Sequence, residues 1–296
     1  VAEFVLSFAP APPEESAVLV VPVASDPNTG DRSPVVERAA NGGERAVAMQ
    51  ARITRSHEWL HAYCEDLKEE ARKVFEDGGA ALGSTSLDSL KTSMRGALTA
   101  VVQDARTVVH GRAPTDIVEE LAAGFPAVEG LELDGGNAPI EATVRECVEN
   151  AVDIALELTR DAIEDGESDV RAFLTTQGWR GVRVAVTKAA AQYDHTRMAA
   201  YNDLDANHAG VFGFEILKDE DELPGQGERA KGDQEVTVVL ALRWGAIIDK
   251  VTCLRCRQRD GQFTILAIPF VGPPLHDHCR CVTSLWPITW TWEDDE

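Results

Sequence analysis

Asp249-Lys250-Val251-Thr252-Cys253-Leu254-Arg255-Cys256, followed by Asp260-Gly261 and by Pro273-Pro274-Leu275-His276-Asp277-His278-Cys279-Arg280-Cys281, holds four of the six cysteines in the chain. Two thiolates three residues apart can grip one ion from a tight turn, and a second pair arriving about twenty residues later completes a tetrahedron. Cys253 and Cys256 form the first pair. Four residues compete for the second: His276 and Cys279 are the first choice, Cys281 is the reserve ligand, and His278 points to solvent or to a neighbouring carboxylate. Sulfur ligands in a closed sulfur-nitrogen set favour Zn²⁺ over calcium or magnesium. Four protein ligands leave no open coordination position, so the spacing predicts a structural zinc that staples a short β-hairpin with too little core to fold alone.

The surroundings of this segment read as strands. Residues 211–217 and 235–244 are β-branched or aromatic-rich runs separated by the acidic loop 218–232, and residues 262–267 follow the turn at Asp260-Gly261. Trp286, Trp290 and Trp292 either cap this small β end or form an aromatic docking strip. The acidic tail 293–296 reads as a solvated terminus.

Upstream of Gly210 the period changes to that of helices. Met49, Ile53, Leu60, Tyr63, Leu67, Ala71 and Val74 recur at three- and four-residue steps from Glu44, with Gly78-Gly79 as the expected stop. A second stripe follows from Ser86, running from Leu87 through Leu98 to Val108, with Gly111 as its end and a short helix over 115–123 beyond it. A third begins near Asn137 and closes at Gly166. A fourth covers about 168–207 with an interruption near Gly178–Gly181. Cys64 and Cys147 fall in these stripes as small buried side chains. The predicted architecture is therefore α+β: an extended arm over residues 1–34, a mainly helical body over 35–210, and a small β-rich, zinc-stapled C-terminal module over 211–296. The arm carries an apolar run at 18–23 that either adds to a sheet edge of another chain or folds back onto its own domain.

Charge narrows the function classes. The chain of 296 residues has 50 acidic against 28 basic residues, a formal net charge of −22, so its surface repels phosphate backbones and disfavours direct duplex DNA binding. Arg255, Arg257, Arg259 and Arg280 form a local basic patch beside the cysteines that can offset thiolate charge. Residues 1–23 lack a basic leading region and are broken by prolines, so no signal peptide is expected. No run reaches the roughly 20 apolar residues that a membrane span requires. Synthesis in a reducing cytoplasm, with no membrane partner, is the expectation.

The order D-x-x-T-C-x-x-C, D-G, P-P-L-H-x-x-C-R-C resembles the carboxy-terminal signature of phage Mu F-like minor head proteins. Asp249, Thr252, Cys253, Cys256, Asp260, Gly261, Pro273, Pro274, His276, Cys279, Arg280 and Cys281 match it. The preceding long helix, the entry into a strand and Trp244 ahead of Asp249 are similar too, and the resemblance covers roughly the last third of the chain. It implies a low-copy component of the virion inside the head near the portal vertex. The implied partners are the portal protein, the major capsid protein and, indirectly, packaged DNA, and the implied role lies in head morphogenesis, DNA packaging or genome delivery. It implies no catalytic residues. Some chains of this kind continue into a toxin domain, for which the stretch after Cys281 is expected to be too short.

A competing motif lies in the first helix. His57-Glu58-Trp59-Leu60-His61 satisfies H-E-x-x-H, in which two histidines one turn apart bind zinc and the glutamate activates water. Alone it predicts a zinc metallopeptidase. No multi-strand sheet precedes it, no H-x-x-G-x-x-H extension follows it, and Glu69 and Glu70 lie on the same rigid helix, which cannot fold them back onto the metal. The competing expectation is that His57 and His61 flank the core stripe.

Overall fold

Apolar residues at helical spacing become five of the six helices in the computed structural model, which describes residues 34–136, 141–208, 212, 214–216, 238–246, 254–260, 263–264 and 281–288. The order is α1 (Pro34–Ala81), α2 (Leu87–Gly124), a single 3-10 turn (Pro126–Val128), α3 (Glu141–Glu164), α4 (Val170–Thr176), α5 (Gly178–Asn207), β1 (Phe214–Ile216), β2 (Val238–Gly245), α6 (Leu254–Arg259), β3 (Phe263–Thr264) and β4 (Val282–Ile288). The protein is mostly helical with a small sheet near its carboxyl end. Among the described residues no helix is long and apolar enough to cross a membrane. The arm over 1–33, the loop 218–232, Asn137, Trp290, Trp292 and the tail 293–296 lie outside the described residues.

Local chemistry explains the ends that sequence reading anticipated. The Ser86 hydroxyl accepts from the Ser89 amide at 3.3 Å to cap α2, and Asp169 does the same for α4 from Ala172 at 3.0 Å. α3 ends where Gly166 takes a left-handed φ of +81° and the Glu167 amide donates to the Ala162 carbonyl at 2.9 Å, a six-to-one closure that needs glycine at the turn. The interruption before α5 falls at Gln177, whose amide bonds Leu174.

Two expected stops are not stops. α1 passes through Gly78 and Gly79 because both sit at helix crossings. A Cβ on Gly78 would meet Met94 Sδ of α2 at 2.7 Å, and one on Gly79 would meet the Arg171 carbonyl oxygen of α4 at 2.9 Å. α2 likewise continues through Gly111 and Pro114 to Gly124, so the separate helix over 115–123 is its last quarter. Proline in a helix interior costs about 3 kcal/mol. Here the stripe Val109, Ala113, Ile117 and Leu121 stays in phase with Leu98, Val102 and Ala105, all buried, and burial of such side chains at about 1.5–3 kcal/mol each outweighs that cost.

The five long or medium helices share one core, running from Leu60 and Phe75 of α1 through Leu98, Val148, Leu174 and Val186 to Val282 at the start of β4. A second core seats the sheet on the bundle: Met49, Leu121, Phe125, Tyr201 and Leu204 enclose Phe214, Leu240, Leu242 and Leu285. β2 is the centre of the sheet. β1 pairs with it in parallel (Phe214 opposite Val238), β3 antiparallel (Thr264 opposite Leu242), and β4 antiparallel along nearly its whole length, from Ile288 opposite Val239 to Val282 opposite Gly245. A strand has only two edges, so β1 and β3 lie end to end along one edge of β2 and β4 takes the other.

β4 and α6 were not anticipated. Sequence reading placed a tight turn at the first cysteine pair, where the structure has the short helix α6. It left residues 282–288 unassigned. Trp286 of that strand is buried beneath the Arg243 guanidinium, 4.5 Å from the ring centroid, so this one of the three tryptophans caps the β end, and Trp290 and Trp292 lie outside the described residues.

Candidate metal centre

Two of the five candidate ligands lie among the described residues, and they come from opposite ends of the predicted site. Cys256 sits in the middle of α6 and Cys281 immediately precedes β4; both are 2% exposed, and together with Trp244 of β2 they form one buried cluster. Cys253, His276 and Cys279, and also His278, lie outside the described residues. Among the described residues no group of three metal-ligating side chains occurs. Two thiols from segments 25 residues apart, buried in one cluster with an indole, are ligands of the soft kind that a structural zinc takes.

The geometry that brings them together is local and polar. The Asp260 amide donates to the Cys256 carbonyl at 3.0 Å and ends α6, while the Asp260 carboxylate accepts from the Ala246 amide at 2.8 Å. This aspartate, read in the sequence only as a turn former, ties the end of β2 to α6. Arg259 lies over the Trp244 ring at 5.4 Å from its centroid, so one member of the basic patch is used in packing the cluster.

A buried polar network then fastens this module to the helices, and sequence reading missed it. Both main-chain polar groups of Thr283, two residues beyond Cys281, are bonded to α5 side chains. Its amide donates to Asp194 Oδ1 at 2.7 Å, and its carbonyl accepts from Arg197 Nε at 2.8 Å and from the Tyr201 hydroxyl at 3.0 Å. Arg197 is fully buried and forks onto Glu120 of α2 through both terminal nitrogens. The Tyr193 hydroxyl donates to Asp116, which Arg112 meets from the partly exposed side at 2.7 Å. Burial opposes the Arg197 charge, but Glu120 and the phenol oxygens outweigh it and push its pKa well above the ordinary arginine value. Burial raises the Tyr201 and Tyr193 hydroxyls far above their usual range, so both stay protonated donors. The available signal was phase: Arg197 falls four residues after Tyr193 and four before Tyr201, inside the apolar stripe of α5, where a charge requires a buried partner.

The H-E-x-x-H motif has a different setting. The His57 ring packs against β2, where a Cβ on Gly245 would lie 2.5 Å from His57 Cε1. Its Nε2 is enclosed and has no hydrogen-bond partner among the described residues. Burial, with Arg197 and Arg243 adding like charge, lowers the His57 pKa from 6.5 to about 3. His61 instead faces the partly exposed side, with Nδ1 3.5 Å from Glu65. Two nearby guanidinium groups oppose a metal cation at His57 just as they oppose a proton.

A pH prediction follows from the depressed value. Between about pH 6.5 and 3 the unfolded chain protonates His57 and the folded chain does not, so this site's contribution to stability is complete above pH 6.5 and is lost as pH falls through that window. Urea unfolding at pH 7 and pH 5 should show wild type losing about 1–2 kcal/mol more than His57→Gln. Equal losses would mean that His57 ionises freely in the fold.

No protein-family model, no curated protein and no solved structure matches the chain.

Proposed function

We propose that this chain is a bacteriophage minor head protein of the Mu F-like kind, a structural component with no catalytic centre. In this reading the helical body and its zinc-stapled end dock on the portal or on the inner face of the capsid and act in head morphogenesis, DNA packaging or genome delivery. The observation that carries it is the burial of Cys256 and Cys281 in one cluster with Trp244. The two thiols belong to the two halves of the signature that resembles this family, and their convergence supports a single ion held between those halves. Cys253, with His276 and Cys279 as the further candidates, would complete the set, and the bound ion would supply cross-linking energy and no reactive position. The anionic surface fits a protein that contacts other proteins and meets packaged DNA only indirectly.

The competing metallopeptidase reading puts zinc at His57 and His61, so metal stoichiometry separates the two. Purified full-length protein is expected to carry one zinc per chain. Cys256→Ser and Cys281→Ser should each release it at chelator concentrations that leave wild type loaded, and His57→Gln should retain it. Zinc lost from His57→Gln and kept in both cysteine variants would favour the peptidase. Co-expression with the portal and capsid proteins of the same phage, followed by sedimentation of assembled heads, tests the docking role: recovery of the chain only in the free fraction would count against it.

A further inference from the structure

We propose that the cleft between the α1–α2 turn and the α3–α4 turn docks a cationic, leucine-bearing segment of another protein, whose apolar side chains complete the last layer of the helical bundle. The cleft is remote from the cysteines: α1 runs roughly 35 Å from His57, which packs against the sheet, to its end at Ala81 beside the cleft.

The bundle is one layer short at this end. In α3 the core stripe Val152, Leu156 and Thr159 is buried, yet the next residue in phase, Ile163, is 47% exposed. In α2 Met94 and Leu90 are buried, and the preceding residue in phase, Leu87, is 37% exposed. Both stripes overrun their neighbours by one turn. Ile163 and Leu87, with Leu82 and Val170, line one open cleft of about 530 Å³. A second concavity, of about 590 Å³, adjoins it at Ser168 and is lined by Leu158 and Phe173 together with Asp161, Asp165 and Glu167. A leucine laid into the first cleft takes apolar surface of Ile163 and Leu87 out of water.

Charge selects the occupant. Residues 157–171 carry six exposed carboxylates, Glu157, Asp161, Glu164, Asp165, Glu167 and Asp169, against two guanidiniums, Arg160 and Arg171. Arg160 stands 3.9 to 4.0 Å from Glu157, Asp161 and Glu164, at the outer limit of ion pairing, and Arg171 lines the first cleft. Asp161, Glu164 and Asp165 lie in or just after the last turn of α3, at the negative end of the helix dipole, with no basic residue in that turn. Each therefore opposes the stability of its own helix, a cost that a bound cation relieves. The apolar occupants that this chain itself offers have the wrong sign. Residues 1–33 hold apolar runs at 4–8 and 18–23 but five carboxylates and one arginine, and a second copy brings a net charge of −22. A segment with lysine or arginine beside its leucines matches the acidic rim and the apolar floor together.

The test is anisotropy of a labelled probe helix of about 15 residues, lysine and leucine at amphipathic spacing, titrated with the full chain. Two control probes separate the contributions: one with serine in place of leucine, one with glutamate in place of lysine. The lysine-leucine probe should bind and slow amide exchange in residues 82–87 and 158–171, the serine control should bind about tenfold more weakly, and the glutamate control should not bind. Ile163→Ser should weaken the lysine-leucine probe about tenfold. Asp161→Asn combined with Asp165→Asn should weaken it about threefold at low salt and not at about 1 M salt, where the Debye length is about 3 Å. If Ile163→Ser does not fold, Leu87→Ser decides by the same tenfold criterion. Unchanged affinity in these variants, protection confined to other segments, or no binding of the lysine-leucine probe overturns the proposal. So does Ile163→Ser dissociating a dimer in sedimentation, which makes a second copy the occupant, or speeding exchange within residues 1–33, which makes it the chain's own arm.

Discussion

Arg197→Met is expected to lower the unfolding free energy by about 3–5 kcal/mol, the range for removing one partner of a buried ion pair. The guanidinium is fully buried and Glu120 is 2% exposed, so the variant strands a carboxylate that was held by two nitrogens. It also removes one of the two donors to the Thr283 carbonyl and the Arg197 donors to the Tyr201 hydroxyl. Methionine fills much of the volume, which leaves the electrostatic loss as the dominant cause. The double variant Arg197→Met, Glu120→Leu should recover a large part of the stability, because it deletes the orphaned charge instead of leaving it buried. Urea titration at pH 7 measures both. A loss below about 1 kcal/mol in the single variant would show that water reaches Glu120 and that the pair behaves like a surface salt bridge.

Trp244→Ala should cost a comparable amount, about 3–5 kcal/mol, as for other large aromatic truncations in cores. Trp244 is fully buried, forms the wall shared by Cys256 and Cys281, and carries Arg259 on its face. A cavity there opens the cluster that both cysteines share, so on the proposed zinc reading the metal should be lost at lower chelator concentration than from wild type. Trp244→Phe keeps most of the wall and should lie between the two in both measurements. If Trp244→Ala destabilises the protein yet binds zinc with wild-type affinity, the indole is only a core residue and the thiols owe their placement to Asp260 and the β2–β4 pairing.

Much of the helical body was legible because its signals are local. Caps such as Ser86, Asp169 and Gly166 act within five residues of themselves, and stripes such as Leu98 to Val109 need only the helical period. The candidate site was legible only as a gathering of cysteines and histidines: the tight turn expected at the first pair is the short helix α6, and Cys253 lies outside the described residues. The rest was not local. Gly78, Gly79 and Gly111 read as stops, and for the first two only the close approach of Met94 and Arg171 from other helices shows why glycine stands there. Trp286 had two readings until β4 paired with β2.

Residue order alone thus specified which segments coil, where several of them begin and end, and that cysteines and histidines gather near the carboxyl end. Packing supplied the continuity of α1 and α2, the fourth strand, and the convergence of Cys256 with Cys281 on Trp244. It also supplied the Arg197 clamp on Thr283, between residues 86 positions apart in the chain. The physical reason is range. Periodicity and capping are energies between near neighbours along the chain, whereas a buried charge or a helix crossing acquires its energy only from the atoms that folding brings beside it.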